Sequence, residues 1–348
     1  MSKQKIQLSD HFNYSRLLRF VLPCVGTMLF TSIYGIVDGL CVSNFVGKTA
    51  FAAVNLIMPV PMLVGSVGFM LGTGGSAIVG ITLGEGDQKK ADRYFTLFLL
   101  AALVSVSVLA VLGIVFLRPI AVLLGAKGEL LDYAVRYGRI LMVSLPTFAL
   151  QNMFQSFFVT AEKPHLGFYF TVGAGCTNMV LDVLLVGILH WSVEGAAIAT
   201  ILAQIISLVW QFKTFTNKNE LLHLRRGIYK LRGTIVKNTI AIGMSPFLMN
   251  LAACFIVIFI NKGLKEYDGD LAIGAFGIVN RIVFLFVMIV MGLNQGMQPI
   301  AGYNFGAQQY HRVNQVLKLT IYGATAVTTT GFLVCLLYTS DAADDGES

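Results

Sequence analysis

The sequence predicts an all-α polytopic membrane protein, and three observations carry that prediction. Only 12% of the 348 residues are charged while 56% are hydrophobic, with a mean hydropathy of +0.74. A soluble domain carries about 25% charged residues, so a water-bathed globule of this composition could not cover its own surface. Apolar runs of the ~20 residues that cross about 30 Å of hydrocarbon as a helix recur along the chain. Finally, the alternation of period two that marks a membrane barrel is missing, whereas 35 glycines suit helices that pack closely in lipid.

Nine runs supply the elements in order, near 17–42, 50–82, 94–117, 131–158, 166–190, 194–212, 238–261, 271–300 and 315–338. The first follows a polar segment, 1–16, that lacks the apolar core of a cleavable signal, so this helix serves as its own insertion signal. The second is longer than a span requires and contains Pro59, Pro61, Gly65 and Gly68, which predicts a kinked or tilted helix. After the sixth comes KTFTNKNELLHLRRGIYKLRGTIVK, 213–237, the longest and most basic connection. It reads as a basic loop on the inner side, in preference to an amphipathic helix on an anionic leaflet. The chain then divides into an N-lobe, 1–212, this linker, and a C-lobe from 238. Of the 25 Lys and Arg residues, 17 fall on the side of the N-terminus and 7 on the other, with Arg281 inside a span. The positive-inside rule therefore places the N-terminus in the cytoplasm, and Arg281 reads as a snorkelling side chain. The net charge of +7 and pI of about 9.1 thus report topology rather than an affinity for nucleic acid.

The two lobes share a faint repeat. Pro23 in VLPCVG falls early in its helix, as Pro246 does in GMSPFL. Gly74 and Gly84 in GTGGSAIVGITLGEGDQKKA recur as Gly296 and Gly306 in NQGMQPIAGYNFGAQQYHRV, each pair 222 apart. Six helices precede the linker, so both halves start on the same side and the repeat is parallel. Only three helices of the second unit precede the acidic tail YTSDAADDGES, and the expectation is a C-lobe, 238–338, that is half present, followed by a foreign polar tail, 339–348.

Of 18 acidic residues, two lie deep in apolar runs: Asp38 in TSIYGIVDGLCVS and Asp182 in GCTNMVLDVLLVG. A charge at the centre of a membrane helix costs about 2.5–3.5 kcal/mol on insertion scales and marks function by default. Each acid has a polar companion one turn earlier on the same face, Tyr34 and Asn178. Burial disfavours a carboxylate's charged form and hydrogen bonds to that form favour it, so such a setting suits proton exchange. Thr200 and Tyr137 extend the network with hydroxyls, and Gln151, Asn152 and Gln155 form a polar patch, of which Asn152 and Gln155 are candidate substrate-cavity residues. The plainer alternative, an acid that caps a helix break or bonds a neighbouring Ser or Thr, weakens when two occur in one six-helix unit.

The other motifs exclude more than they propose. Cys24, Cys41, Cys176, Cys254 and Cys335 sit in apolar segments without ligand spacing, and the five histidines are scattered, so a metal site has no support. GTGGSA neither fits GxGxxG nor ends in GK[ST], which removes nucleotide binding as an energy source. With no G-x-S-x-G and no clustered Ser/His/Asp or Cys/His set, an enzyme is not expected.

Leu22–Pro23, VDGLCVSNFVG, the glycine-rich stretch above, Asn178 with Asp182, EGAAIAT and NQGMQPIAGYNFGA together resemble the multidrug and toxic compound extrusion (MATE) family, over about residues 12–338. The resemblance implies two six-helix lobes around a V-shaped cavity. It also implies a monomer in the bacterial inner membrane that exports organic cations in exchange for protons or sodium by alternating access, with no cofactor beyond that ion. In the DinF-like branch, protonation in the N-lobe is linked to bending of the first helix and collapse of the drug pocket. On that pattern Asp38, Asp182, Tyr34, Asn178, Thr200 and Tyr137 match the hydrogen-bonded site and Pro23 the bending point. Glu266, Asp268 and Asp270 fall in an outer loop and do not match branches with acidic ligands in the second lobe, which favours protons. The alternatives are a lipid-linked saccharide flippase of the same superfamily, whose polyanionic cargo calls for cavity arginines, and a non-transporting sensor or scaffold.

Overall fold

The computed structural model describes residues 6–46, 48–225, 233–267 and 269–344, and among them regular structure is entirely helical. The elements are α1 (Tyr14–Phe45), α2 (Lys48–Ile57), α3 (Pro59–Gly84), α4 (Gln88–Leu123), α5 (Gly128–Thr160), α6 (Pro164–Asp182) with a π-helical extension (Val183–Ile188), α7 (Ser192–Thr216), α8 (Gly233–Tyr267), α9 (Gly269–Gly306) and α10 (Tyr310–Asp344). The long second run is the one that splits. Met58 keeps helical angles (φ −50°, ψ −38°) while Pro59 opens α3, a break in the hydrogen-bond ladder where a proline cannot donate to the preceding turn.

Among the described residues six helical stretches are long and apolar enough to cross a membrane: Tyr14–Val37, Pro59–Gly84, Gln88–Leu123, Pro164–Ile188, Ser192–Thr216 and Ile282–Gly306. Helix α5 has ample length at 33 residues but carries Asp132, Arg136, Arg139 and the Gln151–Gln155 patch. Arg136 reaches Glu194 at 3.6 Å, tying α5 to the start of α7.

Helix α3 is the hub, packed against α4, α5, α8 and α9, and its glycines let those neighbours in. A Cβ on Gly68 would stand 2.4 Å from Ala149 Cβ on α5, and one on Gly74 would stand 2.0 Å from the Thr239 carbonyl on α8. Small residues that bring backbones together are how helices associate in lipid, where apolar burial supplies little preference.

One end of the bundle, here called the base, gathers the starts of α1, α4, α6, α8 and α10 and the ends of α3, α5, α7 and α9. At the base Phe95, Phe154, Phe157, Phe158 and Phe215 form a buried cluster, with Phe95–Phe157 and Phe158–Phe215 centroids 4.6 Å apart, a spacing typical of attractive ring pairs. The first part of the basic connection is an ordered strap over this cluster. Leu222 is fully buried in it. Asp92, also fully buried, accepts from Arg225 Nε at 3.2 Å and from the His223 backbone N–H at 3.3 Å, and Lys163 pairs with Glu220. A buried carboxylate persists only with such partners. Residues 226–232 lie outside the described residues.

Two glycines of the repeat, Gly84 and Gly306, face each other's helices. A Cβ on Gly84 would stand 2.0 Å from the Tyr303 carbonyl, and one on Gly306 would stand 2.0 Å from the Ile81 carbonyl. The two contacts are reciprocal under the same shift of 222 positions, as are Gly80 against Pro299 and Gly302 against Ala77. Helices α3 and α9 therefore cross at the base as a seam of backbone on backbone.

Candidate functional site

The site begins with the irregularity of α1. Pro23 removes one backbone donor, the Thr27 hydroxyl donates to the Pro23 carbonyl at 2.8 Å, and the Thr31 hydroxyl donates to the Thr27 carbonyl at 2.8 Å. Hydroxyls that bond back four residues loosen and bend a helix, and a proline does so more strongly. Above this stretch Thr31 and Tyr34 face a cavity of about 80 Å³ between α1, α5, α6 and α7. Helix α6 comes close because Gly175 has no side chain: a Cβ there would stand 2.5 Å from Phe30 Cε1 and 3.3 Å from Tyr34 Cδ1.

The cavity gathers most of the residues singled out from the sequence. Tyr34, Asn152, Gln155, Asn178 and Thr200 all line it, and so does Gln151. Asn178, 3% exposed, donates from Nδ2 to Thr200 Oγ1 at 3.3 Å, and the Thr200 hydroxyl donates to the Ala196 carbonyl at 3.0 Å. Asn178 Oδ1 and Gln155 Nε2 are buried without a protein partner, so the cavity offers both an acceptor and a donor to whatever enters it.

Asp182 lies one turn beyond Asn178 and is fully buried. It is the last residue of α6 before the π-helical Val183–Ile188. Such widened turns occur mostly as short insertions and often at functional positions. Tyr137 stands apart from the cavity lining, 2% exposed in an apolar cluster with Ile57 and Leu117. Asp38 belongs to α1 by its backbone, but its side chain is outside the described residues, as are those of Arg281, Glu266, Asp268 and Asp270. Gln204 was missed by the sequence reading: it follows Thr200 by four positions on α7 and lines the same cavity, so the rule that pairs Tyr34 with position 38 would have found it.

A second and larger cavity, about 310 Å³, lies between α3, α8 and α9. Phe69, Met249, Met291 and Met297 supply its apolar wall, Asn294, Gln295 and Gln298 its carboxamides, and Pro246 of α8 its edge; among the described residues no lining side chain is charged. Pockets for drug-sized ligands measure roughly 300–1,000 Å³, a range whose lower end the larger cavity reaches and the smaller does not. Gln295 Nε2 comes within 3.5 Å of Ser156 Oγ, next to Gln155 of the smaller cavity. Nothing in the sequence announced this chamber, because its three walls come from segments far apart and are built of Met and Phe that elsewhere only pack.

Among the described residues no group of three His, Cys, Asp or Glu side chains is placed to hold a metal ion. The MatE family model matches residues 23–184 and 241–344. The multidrug export protein MepA of Staphylococcus haemolyticus (strain JCSC1435) is 27% identical over 323 residues, covering 93% of this chain and 70% of that protein. MepA of Staphylococcus aureus (strain MSSA476) is 25% identical over 325 residues, with the same coverage. Among solved structures, an outward-facing multidrug resistance MATE family transporter of the MOP superfamily superposes with a TM-score of 0.88 at 21% identity, over 99% of this chain and 76% of that one. A MOP superfamily transporter from Pyrococcus furiosus, for which a reversed binding-pocket polarity is described, gives 0.84 at 22% identity, over 97% and 75%. With its helical bundle, its membrane-spanning segments and a family match over most of its length, the chain belongs to the MatE family of membrane transporters.

Proposed function

We propose that the chain is a secondary antiporter that exports organic cations in exchange for protons, with coupling and cargo handled in separate cavities. The observation that carries this reading is the packing of α1 on α9. Gly292 and Gly296 of α9 sit against Val25 and Val21 of α1, where a Cβ would meet them at 2.5 and 2.6 Å. Pro23 lies between those two valines. A bend at Pro23 therefore displaces the stretch of α9 that carries Met291, Asn294 and Gln295 into the larger cavity.

The acids Asp182 and Asp38 hold or release the proton, assisted by Asn178, Thr200 and Tyr34. In the deprotonated state their charge favours a cation's entry, and protonation removes that attraction as α1 changes shape. The cargo rests against Phe69 and the methionines, surfaces that adapt to many flat apolar cations. Lobes 1–212 and 238–338, joined by the linker 213–237, rock about the site, with the base cytoplasmic as the basic residues require. Among the described residues the larger cavity's lining holds no Arg or Lys, which weighs against a polyanionic lipid-linked saccharide as cargo.

The test uses vesicles containing the protein and a fluorescent organic cation. An imposed pH gradient should drive cation movement and a sodium gradient should not, and Asp182→Asn should abolish the pH-driven component. Movement that follows sodium, or that survives Asp182→Asn unchanged, overturns the proton assignment.

A further inference from the structure

The segment ahead of α1 joins two parts of the molecule that alternating access must separate. Leu8 is fully buried, in a cluster with Val159 of α5 and with Ile300 and Val316 of α9 and α10. Its backbone N–H donates to Glu162 Oε1 at 2.8 Å, in the turn between α5 and α6. Its carbonyl accepts from Asn304 Nδ2 at 3.2 Å, on α9 beside the Gly302–Gly306 seam. One residue thus holds the α5–α6 turn with its nitrogen and α9 with its oxygen, across a spacing that covalent geometry fixes. If α9 moves off α3 at the base, one of these two bonds must break.

The anchors differ. On the side of α9 and α10 the segment is tied three times: by Asn304, by Arg312 donating to the Ser9 carbonyl at 2.6 Å, and by Gln315 donating to the Phe12 carbonyl at 3.0 Å. On the other side Glu162 accepts from the Leu8 N–H. Glu162 also has φ +61°, a left-handed conformation in which glycine or asparagine is at ease and a longer side chain is not. A turn that uses glutamate there retains a strained residue for the sake of its carboxylate, and such strain collects where function needs it.

We infer that residues Leu8–Phe12 form a releasable clasp on the base of the transporter, with Glu162 the positioning residue whose bond to Leu8 is broken each time the α3–α9 seam opens. The inference rests on the antiport reading only in taking the seam as a gate. It adds a residue to the transport cycle that lies outside both cavities.

The strain in the turn supplies a variant that separates the clasp from simple stability. Glu162→Gly relaxes the backbone at φ +61° while removing the acceptor; Glu162→Gln keeps an acceptor oxygen. The reporter is a cysteine at Ala301, which lines the larger cavity just above the seam, in protein whose five native cysteines are replaced. A membrane-impermeant maleimide is added from the base side of vesicles holding the protein. Glu162→Gly should be labelled at least about fivefold faster than the parent at an unchanged or raised melting temperature, with Glu162→Gln close to the parent. An unchanged rate in Glu162→Gly, or a faster rate that appears only with a fallen melting temperature, overturns the clasp. Labelling needs no cargo and no gradient, so a protein that shows the rate change yet moves no cation keeps the clasp and loses the antiport.

Discussion

The smaller cavity is enclosed by four helices of residues 1–212 and offers amides and hydroxyls at about 80 Å³ beside a buried carboxylate; the larger, at about 310 Å³, lies between α3, α8 and α9 and offers thioethers, a phenyl ring and amides, with no charge among its described residues. On the proposed reading the first suits a proton and has too little room for a drug, and the second the reverse. Two sites with such different contents can be coupled only by something that moves in both. Helix α1 lines the smaller through Thr31 and Tyr34 and packs on the α9 wall of the larger through Val21 and Val25. The difference teaches that exchange need not mean competition for one pocket: a helix with a proline between its two contact points can carry the message.

The largest expected effect breaks that link and leaves both cavities chemically intact. In Gly296→Leu, four side-chain carbons must fit where a bare Cβ already stands 2.6 Å from Val21. Overpacking of this kind costs about 1–3 kcal/mol, and α1 and α9 must part. Gradient-driven cation movement should fall at least about tenfold, while equilibrium binding of a fluorescent cation changes by about threefold or less. Equal losses in transport and binding would show that the two cavities are not separate.

A smaller effect belongs to the larger cavity alone. Met291→Ala and Gln298→Ala remove an apolar wall and a carboxamide, each expected to raise the apparent KM for a bulky cation roughly three- to tenfold, as losses of about 1 kcal/mol do at ~1.4 kcal/mol per decade. The dependence of rate on external pH should stay where it was. A shift in that dependence would merge the two sites into one.

What the sequence showed and what it hid divide along the same line. The smaller cavity was legible because its residues announce themselves within single helices: a polar group one turn before an acid in an apolar run, Asn178 before Asp182, is a local pattern. So was the break at Met58, where Pro59 opens α3. The larger cavity, the seam and the straps depend on residues from different helices, such as Asp92 with Arg225 at 133 positions and Leu8 with Asn304 at 296, and no local period encodes them. Nothing local in the sequence singles out Asp92, and residues 213–237 read as a basic loop. Only the fold reveals that this acid is buried and that it pins the first part of the linker. The glycines at 74, 84, 296 and 306 were visible as a repeat, yet their shared offset acquired a meaning once Gly84 and Gly306 were seen facing each other's helices.

The smallest expected effect sharpens the polar side of the comparison. Thr200→Val keeps the shape of the side chain and removes the oxygen that accepts from Asn178 Nδ2 at 3.3 Å. A buried donor left without its partner costs about 1–3 kcal/mol, though the neighbouring cavity gives this amide some freedom to turn. Thr200 also loses its bond to the Ala196 carbonyl, which remains inside a helix and keeps its backbone partner. The expected result is a two- to fivefold loss of pH-driven transport with no change in cation affinity, about what a partly compensated bond of ~0.5–1 kcal/mol supplies. Thr200→Ser should restore the parent rate because the hydroxyl returns. If Thr200→Val instead weakens cation binding and leaves the pH profile alone, the smaller cavity holds cargo after all, and the division of labour between the two cavities fails at its polar end.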